Sequence, residues 1–181
     1  MSKVLIVYFS RAGHVKKMAE WVAEGAKGVP DVEVVTKEVG QATVEDLLDA
    51  DGIILGTPVY YGQMAAEMKA FIDSITFRGQ HGKLQGKIGA AFISTGWADG
   101  GIATTILSIW TAMGIENMII VPEGVGRLGT AGIQEVAALD PLKESKKVHQ
   151  RCLNLGRRVA ELAKILEKKI PIDPKYPLEV L

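Results

Sequence analysis

The sequence predicts an α/β protein built on a doubly wound parallel sheet. Three observations carry that expectation. Five short apolar runs alternate with five helix-period segments along the chain. The runs at residues 4–9, 52–56 and 88–94 are apolar at almost every position, as in strands buried on both faces. The links leaving those three runs carry hydroxyls, glycines and aromatics, at the end of the sheet where such folds bind ligands.

The first run, 4–9, passes into a helical pattern of Val15, Met18, Ala19, Val22 and Ala26, ended by Gly28 and Pro30. Val32, Val34 and Val39 are set among Glu33, Lys37 and Glu38, which predicts a half-exposed strand near 32–37. A short helix follows at 44–50. The strand 52–56 is expected to stop at Thr57-Pro58. Ala65, Met68, Phe71, Ile72 and Ile75 mark the next helix, and a polar link over 78–86 leads to the strand 88–94. A turn-rich loop, 95–101, precedes a helix marked by Ile102, Ile106, Ile109 and Met113 and closed by Gly114. Residues 118–121 form the last expected strand, stopped by Pro122, and a long loop over 122–140 leads to the final helix. The seam of that helix is Val148, Cys152, Leu155, Val159, Leu162 and Leu166. The polar second strand belongs at an edge, so the five strands take the order 2-1-3-4-5. The ligand end then gathers three loops, 10–15, 57–63 and 94–101.

Composition narrows the classes. At 181 residues the chain suits one domain, 1–170, with an extended tail, 171–181, that carries Pro171, Pro174 and Pro177. Hydrophobic residues make up 48% and the mean hydropathy is +0.16, which predicts a globular core rather than disorder. Lys+Arg and Asp+Glu are both 21, so no net charge draws the chain to nucleic acid or to an anionic membrane. The lone cysteine, Cys152, excludes an internal disulfide and a cysteine-bound metal cluster. No signal-peptide pattern follows Met1, and no apolar run reaches membrane-spanning length, so a cytoplasmic protein without a membrane span is expected.

Ser10, Arg11, Ala12, Gly13, His14 and Val15 sit where a strand ends and a helix begins. Backbone N–H groups, the Ser10 hydroxyl and the freedom of Gly13 suit a phosphate there. The same residues also suit a plain turn in which Ser10 only caps the helix. The stretch lacks the lysine and the length of a nucleoside-triphosphate loop. Thr57, Pro58, Val59, Tyr60, Tyr61, Gly62 and Gln63 combine a rigid proline, two aromatics and a glycine, which suits a flat heteroaromatic ring. Two tyrosines packed in a core or an interface would read the same way. Ser94, Thr95, Gly96, Trp97, Gly100 and Gly101 repeat the grammar, with Trp97 either a ring wall or a surface packer.

These three stretches resemble the three FMN loops of the flavodoxin superfamily. The nearest branch is that of the WrbA-type NAD(P)H:quinone oxidoreductases and related flavodoxin-like FMN reductases. The likeness runs from Lys3 to about Pro122 and takes in residues 68–73, Gly86-Lys87 and Trp110-Thr111. It implies a flavodoxin-like sheet and FMN as cofactor. Residues 10–15 would take the phosphate, residues 57–62 would pass the reactive edge of the ring, and residues 95–101 would close its second side. Hydride transfer would then need positioning, by Tyr60, Tyr61 and Gly62, and no certain catalytic acid or base. NAD(P)H is the implied donor, a quinone or similar small molecule the acceptor, and a homo-oligomer, dimer or tetramer, the assembly. The alternative is an electron-carrier flavodoxin shuttling between proteins, although a net charge of +0 does not suit an acidic docking face. The sequence departs from the quinone-reductase branch in three places. Residues 40–51 are only a short link, the branch's histidine pair reads Ile115-Glu116, and its Pro-Tyr-Gly-Ala motif is missing from 121–140.

Other signals are discounted. Residues 124–129 match GxGxxG, but they follow the last expected strand instead of the first, so a loop beside the flavin is expected, with Arg127 available to a nucleotide phosphate. His81 and His149 are expected in solvent, no metal spacing occurs, and Cys152 is expected in the core.

Overall fold

The structure, a computed structural model, describes residues 1–77, 82–96, 100–122, 133–136 and 141–166. Its central sheet is parallel, in the order β2-β1-β3-β5-β6. The strands are β1 (Ser2–Tyr8), β2 (Val32–Glu38), β3 (Gly52–Tyr60), β5 (Ile88–Thr95) and β6 (Ile119–Ile120). Counting only those five, the order is the expected 2-1-3-4-5 of a flavodoxin-like fold. A two-residue strand, β4 (Gln63–Met64), returns antiparallel along β3.

Alternation along β1 divides the core into two layers. Val4, Ile6 and Tyr8 face α1 (His14–Lys27) and α5 (Pro141–Leu166). Leu5 and Val7 face the layer of α2 (Val44–Asp49), α3 (Ala66–Phe77) and α4 (Ile102–Ile115). Val4, Leu5, Ile6 and Val7 have no exposure at all, and burying each such side chain contributes about 1.5–3 kcal/mol. The expected α5 seam is buried at Val148, Cys152, Leu155 and Val159. Leu162 and Leu166 pack on its margin.

Three expectations are corrected. The third strand does not stop at Thr57-Pro58. It runs on to Tyr60, with Thr57 opposite Ile93 and Pro58 opposite Ser94. Phe9 N donates to Gly56 O at 2.9 Å, so Gly56 addresses the β1 side and, two residues on, Pro58 does too. The β1 pairing has ended there, at Tyr8 opposite Gly56, and the N–H that proline lacks has no strand to meet. The helix α4 does not close at Gly114 but at Glu116, before a left-handed Asn117 with φ 55°. The stretch 122–140 is not all loop. Residues Ile133–Val136 form β7, parallel to β5, with Ile133 opposite Phe92 and Val136 opposite Thr95. The edge position is thus shared by two short segments, β6 beside Ile88 and Gly89 and β7 beside Phe92–Thr95. Neither is long enough to carry a clear period.

Glycine sets the spacing of α1 and α5. A Cβ on Gly156 would lie 1.9 Å from Val22 O, and one on Gly25 would lie 2.1 Å from Leu153 O. The two backbones touch at these points, so no side chain fits between them. On the other face, Lys87 Nζ donates to Leu48 O at 2.9 Å and Ala50 O at 2.5 Å, closing the carboxyl end of α2 against β5. Burial pushes the Lys87 pKa down, partly opposed by Asp51 and Asp49. At the other end of α2, Thr43 and Asp46 form a capping box, and Lys37 Nζ of β2 donates to both Asp46 carboxylate oxygens at 2.7 Å. Burial raises the Asp46 pKa, but hydrogen bonds from Lys37 and Thr43 outweigh it and hold the carboxyl below its ordinary 3.8. His149, expected in solvent, keeps 39% of its side chain exposed; its ring is tilted by 39° against Trp21 with centroids 4.9 Å apart, and its Nε2 lies 3.4 Å from Glu24. Among the described residues no helix is long and apolar enough to cross a membrane.

Two outcomes follow from this packing. Gly156→Ala forces α1 and α5 apart and costs about 1–3 kcal/mol, read by urea unfolding; an unchanged midpoint would mean that the helices are not in backbone contact. Folding lowers the Asp46 pKa, so on acidification the unfolded chain binds that proton first. The Asp46 contribution is complete above the ordinary carboxylate value and is lost as pH falls through the lowered folded one. Asp46→Asn therefore lowers stability at pH 7 by about 1 kcal/mol and flattens the acid limb of the unfolding curve.

Candidate functional site

The carboxyl ends of β1, β3 and β5 bring the three expected loops to one place. The first loop ends in an open helix terminus. Gly13 is the N-cap of α1, left-handed with φ 88°, and no side chain caps the helix. No acidic residue lies in the first turn of α1. The contrast with α2 is direct, because there Asp46 fills the terminus from within. The α1 terminus therefore leaves N–H groups and its positive dipole end for an external anion. The Ser10 hydroxyl adds to this: its Oγ is buried and has no hydrogen-bond partner among the described residues. The alternative role for Ser10, a helix cap, is not the one the structure adopts. His14 begins α1 on its exposed side. The Val15 side chain is buried in the core, which leaves only its backbone to the loop.

The second loop is a β-hairpin. Tyr60 pairs with Gln63, and the two residues between them, Tyr61 and Gly62, have φ 49° and 77°. Positive φ at both central positions is the signature of a type I′ turn. Gly62 takes that conformation freely, whereas Tyr61 takes it at a cost of about 1 kcal/mol. Tyr61 is also fully exposed, and Tyr60 is 37% exposed. Neither is a core tyrosine. Thr57 is fully buried and works inside the loop: its hydroxyl donates to Pro58 O at 3.1 Å and accepts from Ala65 N at 3.0 Å. That pair of bonds holds the base of the hairpin. Pro58 and Val59 are half-buried on its outgoing arm.

In the third loop Ser94 and Thr95 are buried at the end of β5, and Gly96 opens to solvent. Trp97 lies outside the described residues, as do 124–129 with Arg127, His81 and the tail 171–181. Gly100 and Gly101 lead into α4, with Gly101 left-handed at φ 93°. A Cβ on Gly101 would lie 2.2 Å from Gly62 Cα, so the second and third loops meet backbone to backbone. First and second loops meet as well, where the Arg11 guanidinium stands 5.9 Å from the centre of the Tyr60 ring. Arg11 is the one charged residue among the described residues of the three loops.

Sequence reasoning missed the hairpin and Thr104. Tyr61-Gly62 is not one of the Asn-Gly or Asp-Gly pairs that mark such turns, although a glycine two residues after an apolar pair was visible. Thr104 Oγ donates toward the second loop, at Gly62 O, from the first turn of α4.

A family model described as NADPH-dependent FMN reductase matches residues 30–131. The chain belongs to the NADPH-dependent FMN reductase family. It is 39% identical over 183 residues to a flavodoxin of Aquifex aeolicus (strain VF5), covering 96% of this chain and 97% of that one. Among solved structures it is similar to a flavodoxin, WrbA-like protein from Agrobacterium tumefaciens, at 25% identity and a TM-score of 0.73, over 91% of this chain and 99% of the other. A flavodoxin from the domain Archaea matches at 28% identity and a TM-score of 0.69, over 90% and 99% of the two chains.

Membership of the FMN reductase family makes this an FMN-binding, flavodoxin-like protein, and the residues present fit the cofactor. An uncapped helix terminus beside an orphaned hydroxyl suits a phosphate monoester. Two glycine turns in contact, flanked by exposed tyrosines, suit the edge of a planar ring. Ser10→Ala separates the site from the fold. It removes a buried donor that lacks a partner, so the apoprotein melts at the wild-type temperature or above. FMN affinity falls about tenfold, measured by quenching of flavin fluorescence. Equal affinity in the two proteins would place the phosphate elsewhere.

Proposed function

We propose that the protein is an FMN-dependent oxidoreductase that accepts hydride from NAD(P)H and passes electrons to a quinone or similar small acceptor. The observation that carries this reading is the meeting of three loops at one end of the sheet, with Tyr60 and Tyr61 exposed beside it. Bound FMN supplies the two-electron centre. The chain supplies binding, orientation and electrostatics. The α1 terminus and Ser10 hold the phosphate. The Tyr61-Gly62 turn and Gly101 shape the ring edge. Arg11 sets a positive charge near that edge, which favours negative charge developing there and attracts an anionic donor. No side chain is assigned as a proton donor or base.

The second reading is an electron carrier, and the likeness to a protein called flavodoxin favours it. A carrier docks through complementary charge, usually an acidic face. By sequence the three loops carry one charge of each sign, Arg11 and Asp99, and no acidic face. That supports a small-molecule reaction over protein docking. A cytoplasmic homo-oligomer completes the proposal. Leu107, Ile115 and Ile119, all exposed along α4 and β6, support association with a second copy.

Anaerobic stopped-flow mixing with NADH and with NADPH tests the enzyme. Loss of the oxidised flavin band within seconds is expected with at least one of them. Failure of both, together with electrochemical reduction in two resolved one-electron steps, would favour the carrier.

A further inference from the structure

The second and third loops are joined by more than the contact of Gly62 with Gly101. Thr104 Oγ stands 2.7 Å from Gly62 O and 2.9 Å from Gly101 O. A hydroxyl has one hydrogen, so it donates to one of the two carbonyls at a time. The Gly101 carbonyl already has two other donors. Thr105 N reaches it at 3.0 Å in the first helical bond of α4, and Thr105 Oγ reaches it at 2.8 Å. Thr105 is fully buried, so its hydroxyl needs that acceptor. A carbonyl oxygen has two lone pairs, and Thr105 takes both. The Thr104 hydrogen is left to Gly62, which is also the shorter contact. Thr104 is itself exposed, so nothing in the core fixes it.

We propose that Thr104 is a positioning residue for the flavin site: its hydroxyl holds the Gly62 carbonyl and so fixes the Tyr61-Gly62 turn against the start of α4. The turn needs such a tie. Tyr61 is left-handed and fully exposed, so the side chain adds no packing to hold it. Among the described contacts, the ties of the hairpin tip to the third loop are this hydrogen bond and the Gly62–Gly101 approach. The Gly62 carbonyl is consequently committed to the protein, and the ring edge meets a turn with one arrangement. The inference rests on the FMN reading of the site.

The test compares wild type with Thr104→Val, which keeps the shape and removes the donor, and Thr104→Ser, which keeps the donor. FMN affinity of the apoprotein, the visible band of the bound flavin and the apoprotein melting temperature are measured for each. Expected results are an affinity about tenfold weaker in Thr104→Val, a displaced flavin band, an apoprotein melt like that of wild type, and recovery of affinity and band in Thr104→Ser. Wild-type affinity and spectrum in Thr104→Val would overturn the inference. So would failure of Thr104→Ser to recover, or an affinity loss matched by a lower melting temperature, which would mark a merely structural residue. Wild-type protein that takes up no FMN would overturn the FMN reading together with this inference. Wild-type uptake with an indifferent valine variant overturns the inference alone.

Discussion

The Ser10 hydroxyl is buried at the end of β1 with no partner among the described residues, beside a helix terminus that no side chain caps. Leaving a donor dry costs about 1–3 kcal/mol. Among the described residues one other buried side-chain polar atom, the Trp110 indole Nε1 on α4, lacks a partner too; most such groups are satisfied. Thr43 and Asp46 close α2 from within, Lys87 closes its far end, and Thr57 and Thr105 spend their hydroxyls on nearby backbone. Of the two orphans only Ser10 lies beside an uncapped helix terminus, and that pairing is what supports the proposed phosphate site there. β1 can carry an unsatisfied end because both of its faces are covered by helices and its four central side chains are fully buried.

From that anchor the site is assembled by backbone. The α1 terminus is open because Gly13 caps it without a side chain. In the proposed site the ring edge would meet a hairpin tip and a helix start, which touch through Gly62 and Gly101. Side chains enter as struts: Thr57 under the hairpin, Thr104 across to it, and Arg11 over Tyr60. Such a site binds and orients a cofactor that brings its own chemistry. It does not require the acid–base pairs that a side-chain mechanism would need. Tyr61, left-handed and fully exposed, stands at the tip of that hairpin.

Much of this was legible in the residues. The apolar runs marked β1, β3 and β5, because strands covered on both faces by helices read as continuous apolar segments. The polar pattern of β2 put it at an edge. The loops could be placed because a parallel sheet carries all its strand ends to one side. Other features were hidden for physical reasons. Pro58 reads as a stop, yet its missing N–H faces the flank that β1 has vacated. Tyr61 in a type I′ turn defies the usual turn residues, so the β3–β4 hairpin had no signal. β6 and β7 split one sheet position between short segments, which erases the period of both. The approach of α1 to α5 depends on Gly25 and Gly156, which look in sequence like weak points of a helix and act in the fold as contact surfaces.

The central claim is that the cofactor is held first by its phosphate, at Ser10 and the start of α1. Titration of the apoprotein with FMN and with riboflavin, which shares the ring but lacks the phosphate, tests this most directly. The account predicts that FMN binds at least about a hundredfold more tightly, since a charge-assisted set of hydrogen bonds and a helix dipole are at stake. Equal affinity for the two flavins would contradict it.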